Sequence, residues 1–124
     1  MKIYVASSLL NKQNVKEVID KIINSGHEVT YDWTVHGKVE PSQKELMQEI
    51  CDSEVKGVMN CDALLLLSPA RTGSHVELGI AIALNKPIFL HIEDSEFKSF
   101  YMHKSVMYIS SNQNDVIEAC INYF

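Results

Sequence analysis

CDALLLLSPARTGSHVELGIAIALNKPIFLHI, residues 61 to 92, contains the pattern that decides the fold. Residues 63–67 form an uninterrupted apolar run, which is typical of a strand buried on both faces of a parallel sheet. A polar loop at residues 68–75 leads into an apolar helix that extends through Leu84. Residues 88–92 return to strand character. The stretch therefore predicts a strand, a crossover helix and a second, parallel strand.

The same alternation of strands and helices continues on both sides of this stretch. Strand segments are rich in β-formers, and helical segments carry apolar residues at a spacing of three and four. The additional predicted elements are a strand at residues 2–6, a helix at 11–25, a strand at 27–33, a helix that begins near Ser42, a strand near 107–109 and a helix at 114–123.

Strands that alternate with helices favour a mostly parallel sheet covered by helices on both faces. Because crossovers are right-handed, few topologies remain. We expect a single α/β domain over residues 1–124, a flavodoxin/Rossmann-like three-layer sandwich whose five-stranded, mostly parallel sheet has the order 2-1-3-4-5. Ligands of such sheets bind at the carboxyl ends of the strands where the winding direction reverses, here between strands 1 and 3. The loops at residues 6–11 and 68–75 flank that point.

Length and charge limit the class of partner. The chain has 124 residues, 46% of them hydrophobic, and a formal net charge of -5. This charge disfavours binding to a nucleic-acid polymer and leaves room for a small molecule with one phosphate. No run reaches the ~18 apolar residues of a membrane span. No secretory leader or CxxC pair accompanies the three cysteines, so we expect a cytoplasmic protein that does not bind membranes.

Glu77 is an acidic residue in an otherwise apolar helix, directly after a polar loop. In this interpretation Gly73 and Ser74 precede the helix, so that backbone N–H groups and a hydroxyl face the crevice. The partial positive charge of the helix start should favour the ionised form of Glu77, as a nucleophile requires. The alternative is that Glu77 only complements the helix dipole.

A second carboxylate, Glu54, lies in the helix that begins near Ser42. Ser42 followed by Glu45 has the pattern of a capping box at the start of this helix. Glu54 is one turn from the apolar residues Ile50 and Val58, so it points inward or along the edge of the apolar stripe. A buried carboxyl is costly unless it is paired or protonated, and a raised pKa would suit a proton donor. The alternative is a solvated glutamate at the border of the stripe, paired with a lysine.

Three further side chains could complete a site. Arg71 could clamp a phosphate or carboxylate with its planar guanidinium. Tyr4 lies in the first strand and either joins the core or directs its hydroxyl at the pocket. Trp33, at the end of the second strand, could stack on a base or cap the core. The histidines lack ligand spacing, and the HVE of residues 75–77 has no PCxxC partner of the zinc-deaminase type, so no metal or redox cofactor is implied.

Three segments together carry a family resemblance: KIYVASS at residues 2–8, CDALLLLSP at 61–69 and GSHVELGIAIALNKPIF at 73–89. They resemble the nucleoside 2-deoxyribosyltransferase-like superfamily, which includes nucleoside deoxyribosyltransferases and hydrolases of nucleoside 5'-monophosphates. The likeness covers residues 2–92. It implies an enzyme without a cofactor that cleaves or exchanges the N-glycosidic bond of a nucleotide or nucleoside through a covalent glycosyl-glutamate intermediate.

The resemblance also implies roles for individual residues. Glu77 corresponds to the glutamate that attacks the anomeric carbon, and Tyr4 to the tyrosine that helps to orient it. Glu54, eight positions before Asp62, corresponds to an acidic residue that contacts the base. The family usually has an aspartate where this chain has Glu54.

Position 71 favours a nucleotide over a free nucleoside. The deoxyribosyltransferases have an aspartate there that binds a sugar hydroxyl, and the cationic Arg71 cannot accept that hydrogen bond. The monophosphate hydrolases hold phosphate with a small polar loop and a serine of the first loop. The substrate-binding residues predicted here are Ser7, Ser8, Trp33, Arg71, Gly73, Ser74 and His75. The rival interpretation is a non-catalytic nucleotide-binding regulatory module, which would have the same fold and pocket.

The resemblance further implies a homodimer, because residues after strand 4 generally complete the pocket of the neighbouring subunit in this family. Phe97 to His103, FKSFYMH, would then lie near the interface. The alternative is an ordinary loop folded over its own sheet.

Overall fold

The protein is described by a computed structural model that covers residues 1–124, apart from the side chain of Asp94. Five parallel strands form one sheet in the order β2-β1-β3-β4-β5, so the predicted fold class and strand order are confirmed. The strands are β1 (Lys2–Ala6), β2 (Glu28–Val29), β3 (Ala63–Leu67), β4 (Ile88–His91) and β5 (Val106–Ser110). The helices are α1 (Lys12–Asn24), α2 (Lys44–Asn60), α3 (Thr72–Ala83) and α4 (Gln113–Ile121).

The core is centred on β3, where every residue is buried as the apolar run predicts. Burial on both faces requires helices on both sides of the sheet. On one side α1 and α4 are joined by an ion pair of 2.9 Å between Lys21 and Glu118, while α2 and α3 pack against each other. Among the described helices, none combines the length and the apolar character that crossing a membrane requires.

The second strand is shorter than predicted, and a 3-10 turn follows it. The sequence predicts strand structure over residues 27–33, whereas β2 contains only Glu28 and Val29. The carboxylate of Asp32 accepts a hydrogen bond from the backbone N–H of Thr34 at 2.9 Å and begins a short 3-10 turn. An aspartate that bonds to the chain two residues ahead competes with strand pairing.

The capping box predicted at the start of α2 is wrong. The helix begins at Lys44, and its N-cap residue Gln43 makes no side-chain capping bond to the helix. A turn precedes it, in which the N–H of Gln43 donates to the carbonyl of Glu40 at 2.9 Å and the N–H of Glu40 donates to the Gln43 side chain at 3.0 Å. Because this turn contains Ser42, its hydroxyl is not at the cap position.

Candidate active site

A cavity of about 600 Å³ lies where the topology predicts it, between the loop after β1 and the loop after β3. The segment after β2 and one side of α2 form its other walls. Of the ten predicted site residues, all except Tyr4 and His75 line it. The lining residues are Ser7, Ser8, Leu9, Trp33, His36, Gly37, Lys38, Val39, Met47, Ile50, Cys51, Glu54, Arg71, Gly73, Ser74 and Glu77.

Glu77 is buried at the base of this cavity, with 8% of its surface exposed. The hydroxyl of Tyr4 donates a hydrogen bond to its carboxylate. Tyr4 lies in β1, is fully buried, and pairs in register with Leu64 of β3. The tyrosine is therefore both a core residue and a partner of Glu77, and it reaches the cavity through that glutamate.

The structure brings the second predicted carboxylate to the same place. Glu54 is half-buried on α2, lines the cavity, and its carboxyl group is a hydrogen-bonding neighbour of that of Glu77. Residues on β1, α2 and α3 thus converge on one point. An arrangement of a buried carboxylate, an orienting hydroxyl and a second carboxyl can serve both nucleophilic attack and proton transfer.

Burial dominates the electrostatics of this pair. Burial raises the pKa of Glu77 from its ordinary 4.5 to about 8; the hydrogen bond from Tyr4 opposes this rise, and the neighbouring Glu54 adds to it. Burial also raises the pKa of Glu54, against the hydrogen bond with Glu77 and the charge of His36. Two carboxyl groups this close cannot both ionise cheaply, so the pair holds one proton near neutral pH.

The expectation that the helix start favours the ionised form of Glu77 is wrong. The helix α3 begins at Thr72, so Gly73 and Ser74 lie in its first turn and Glu77 lies in the second. The helix-dipole effect fades beyond the first turn. Desolvation in the core has the opposite sign, and it determines the direction of the pKa shift.

The first turn of α3 forms one end of the cavity. Arg71 is the N-cap residue, and its N–H donates to the hydroxyl oxygen of Ser74 at 3.3 Å. Across the cavity wall, the hydroxyl oxygen of Ser8 accepts from the N–H of Leu10 at 3.1 Å. Within the described contacts, neither Ser8 nor Ser74 donates its hydroxyl proton to the protein. Both hydroxyl groups can therefore donate to an anion beside the free N–H groups of the helix start.

Ser7 differs from Ser8 in the bonds that its hydroxyl makes. The Ser7 hydroxyl donates to the carbonyl of Leu67 at 2.7 Å and accepts from the Asn11 side chain at 3.0 Å. These bonds join the loop after β1 to the end of β3. Ser7 lines the cavity, but its side chain braces the two loops.

His75 lies outside the cavity lining, behind the anion-binding end. Its Nδ1 contacts the carbonyl oxygen of Arg71 at 2.8 Å, and its Nε2 contacts the hydroxyl of Tyr101 at 2.9 Å. Because a carbonyl can only accept, Nδ1 donates in this contact. His75 thus connects the N-cap of α3 to the segment after β4.

Trp33 forms a fixed wall of the cavity. It is 4% exposed, and its indole N–H donates to the carbonyl of Val5 at 2.7 Å. Trp33 belongs to the core and also lines the pocket, while stacking on a base stays a prediction.

Among the cavity residues that were not predicted as site residues, His36 and Lys38 are the two with basic side chains. They lie in the segment that follows β2, which has no motif or periodic pattern. Their position after the carboxyl end of a strand next to β1 was the available signal. The Nε2 of His36 is buried and has no hydrogen-bond partner within the described contacts. Among the described side chains, no His, Cys, Asp and Glu residues are grouped as a metal site.

Comparison with known proteins agrees with this geometry. The family model described as nucleoside 2-deoxyribosyltransferase matches residues 3–118. A CMP N-glycosidase from Clostridium botulinum has a TM-score of 0.70 at 18% identity, covering 100% of both chains. A 2-deoxyribosyltransferase from Bacillus psychrosaccharolyticus has a TM-score of 0.68 at 22% identity, covering 98% of this chain and 96% of the other. No curated protein sequence matches the chain significantly.

Proposed function

Because the chain belongs to the nucleoside 2-deoxyribosyltransferase family and is an enzyme of the N-glycosidase or deoxyribosyltransferase kind, we propose that it hydrolyses nucleoside 5'-monophosphates through a covalent glycosyl intermediate on Glu77. The observation that carries this proposal is the contact of three groups: the buried Glu77, the Tyr4 hydroxyl that donates to it, and the Glu54 carboxyl beside it.

The proton that the two carboxyl groups share suits double displacement. At neutral pH the shared proton lies mainly on Glu77, whose pKa is raised to about 8. The hydrogen bond from Tyr4 stabilises the ionised form of Glu77, so this proton can pass to Glu54 and leave Glu77 ready for attack. Glu77 then attacks the anomeric carbon, the glycosidic C–N bond breaks with its electron pair on the base, and the departing base takes the proton of Glu54. The ionised Glu54 next accepts a proton from the water that attacks the anomeric carbon, and Glu77 leaves as a carboxylate.

The end of the cavity at α3 supports a substrate that carries a phosphate. Arg71 supplies a guanidinium with bidentate geometry, and the first turn of α3 supplies N–H groups. Ser8 and Ser74 supply hydroxyl protons that the protein does not use elsewhere among the described contacts. We therefore assign the 5'-phosphate to Arg71, Gly73, Ser74 and Ser8. Ser7 and His75 stabilise this end of the cavity through their bonds to the carbonyl groups of Leu67 and Arg71.

The opposite wall supports a flat, apolar base. Trp33 is held rigidly by its indole bond to Val5, and Met47 and Ile50 of α2 face the same cavity. A nucleobase can pack against such surfaces while its polar edge meets Glu54. In this proposal the base lies near the proton donor and the phosphate lies at the start of α3.

The assembly and the location of the protein are predictions that follow from its surface and its cysteines. Phe97, Phe100 and Met102 are 54%, 68% and 70% exposed, which is unusual for large apolar side chains so close together. We propose that they lie in a homodimer interface. Tyr101, between them, is buried in its own chain and anchors the segment through His75. The three free cysteines are consistent with a cytoplasmic location.

Chromatography of released base tests the proposal. The protein is incubated with ribo- and deoxyribonucleoside 5'-monophosphates and with the matching nucleosides, and each reaction is repeated with Glu77→Gln. We expect base release from monophosphates with the parent and none with the variant, and a glycosyl adduct on Glu77 in mass spectra of quenched reactions. Release from nucleosides alone would refute the phosphate assignment. Binding of nucleotides without any turnover by the parent would favour the regulatory module.

A further inference from the structure

Gly57 lies on α2, one helical turn after Glu54, where this helix faces the ring of Tyr4 from β1. A Cβ atom at this position would be 2.9 Å from both Cδ2 and Cε2 of the Tyr4 ring and 3.0 Å from Cβ of Tyr31. Carbon atoms in contact normally lie about 3.5–4.0 Å apart. The hydrogen of glycine is therefore the largest side chain that this contact accepts.

The Tyr4 ring cannot move aside to admit a larger residue. Its backbone lies in β1, which is hydrogen-bonded to β2 and β3, and its side chain is fully buried. Its hydroxyl is fixed on Glu77. A methyl group at position 57 would therefore displace α2 from β1.

A further bond holds Gly57 in this position. The hydroxyl of Thr30 donates to the carbonyl of Gly57 at 2.7 Å, and the N–H of Thr30 donates to the carbonyl of Ile3 at 3.0 Å. Ile3 is the neighbour of Tyr4 in β1. Thr30 thus connects α2 to β1 next to Tyr4. The connection on the helix is at Gly57, the residue that has no side chain.

We propose that Gly57 is a positioning residue for the two-carboxylate centre, and that its contact with the Tyr4 ring sets the separation between Glu54 and Glu77. Glu54 is carried by α2, whereas Glu77 is fixed to β1 through Tyr4. The distance between the two carboxyl groups therefore depends on how closely α2 lies on β1. This inference rests on the proposed function for its kinetic consequence, while its structural consequence is independent of turnover.

The substitution Gly57→Ala tests the proposal in the enzyme. The variant keeps its helix content by circular dichroism, since alanine is the better helix former. We expect kcat to fall by about ten- to a hundred-fold, because small misplacements of catalytic groups have effects of this size. We also expect the alkaline limb of the pH–rate profile to move to lower pH. This limb reports the loss of the one proton that the pair holds, and a more distant carboxylate raises the upper pKa of the pair less. A lower fraction of folded protein would reduce the rate at every pH and would not move the alkaline limb.

Two controls separate positioning from general damage. Gly79→Ala adds the same methyl group to α3, where nothing lies within 4 Å of the new atom, and should leave kcat and the pH profile unchanged. In a Glu54→Gln background, Gly57→Ala should have little further effect, since the group that it displaces is already disabled. Equal losses in both backgrounds, or a parental pH profile for Gly57→Ala, would overturn the proposal.

Thr30 provides a second variant that adds no bulk, should Gly57→Ala fold poorly. Thr30→Val removes the bond to Gly57 and should shift the pH profile in the same direction, whereas Thr30→Ser keeps the hydroxyl and should restore it. Carboxyl titrations by ¹³C NMR give the same readout without substrate. The upper pKa of the pair should fall in Gly57→Ala and Thr30→Val. An unchanged titration would refute the positioning role even if the parent releases no base, and base release itself is decided separately by the substrate panel.

Discussion

The substitution Glu77→Gln should stabilise the folded protein at alkaline pH while it abolishes catalysis. In the folded protein the pKa of Glu77 is raised to about 8 from an ordinary 4.5. Between these two pH values the folded state binds more protons than the unfolded chain, so the free energy of unfolding falls as the pH rises through this window. Glutamine is the neutral counterpart of the protonated side chain. It can still accept from Tyr4, and it can donate to Glu54.

The magnitude follows from the pKa displacement. Each pKa unit corresponds to about 1.36 kcal/mol, so ionising Glu77 in the folded state costs on the order of 5 kcal/mol if nothing relaxes. Water in the cavity and small movements of Glu54 will reduce this cost. We expect Glu77→Gln to exceed the parent by about 2 kcal/mol above pH 8, which is about 8 °C in Tm for a chain of this size. Below pH 4.5 the two proteins should agree within about 0.5 kcal/mol.

Thermal unfolding of both proteins at pH 5, 6.5 and 8.5 measures this difference. Glu49→Gln, on the exposed side of α2, is the matched control and should show no pH-dependent gain. A Glu77→Gln advantage that stays constant from pH 5 to pH 8.5 would mean that burial does not control the charge of this carboxyl. A variant less stable than the parent at pH 8.5 would refute the reasoning outright.

Further substitutions test the remaining contacts. Tyr4→Phe removes the hydrogen bond that lowers the pKa of Glu77, so the acid limb of the pH–rate profile should move to higher pH and kcat should fall by about ten-fold or more. Arg71→Met should raise KM for monophosphates by about ten- to a hundred-fold, as expected for a lost charged hydrogen bond, and leave KM for nucleosides unchanged. His75→Asn, whose amide can still donate to the Arg71 carbonyl, should retain more monophosphate affinity than His75→Leu; equal losses would show that the bond to Arg71 is unimportant.

The sequence predicted best those elements that are buried on all sides, because only apolar residues are stable there. The apolar run of β3 and the apolar helix that follows it can be accommodated only in the middle of a parallel sheet. Right-handed crossovers then determine the strand order, and the strand order determines which loops meet. This is why Arg71 and Ser74 were placed correctly at the crevice, although the start of α3 was predicted too late.

The segment after β2 was predicted less well because local side-chain bonds decide its course. The N–H of Thr34 donates to Asp32 in the turn that follows the short strand, and another turn stands before α2 in place of the capping box of Ser42. Neither bond leaves a periodic trace in the sequence. As a result, the two cavity residues His36 and Lys38 received no sequence-based assignment.

The charge state of Glu77 shows most clearly where local sequence reasoning ends. From its neighbours in the chain, this residue follows a helix start, and a helix start favours a carboxylate. In the fold it is surrounded by Tyr4 and Glu54, which come from residues far away in the sequence, and it is removed from water. Desolvation and a like charge outweigh the dipole of one helix turn because both act at contact distance in a poorly polarisable environment. Bringing two carboxyl groups together in the core thus makes it costly to ionise both of them. Because of this cost, the pair retains one transferable proton at neutral pH.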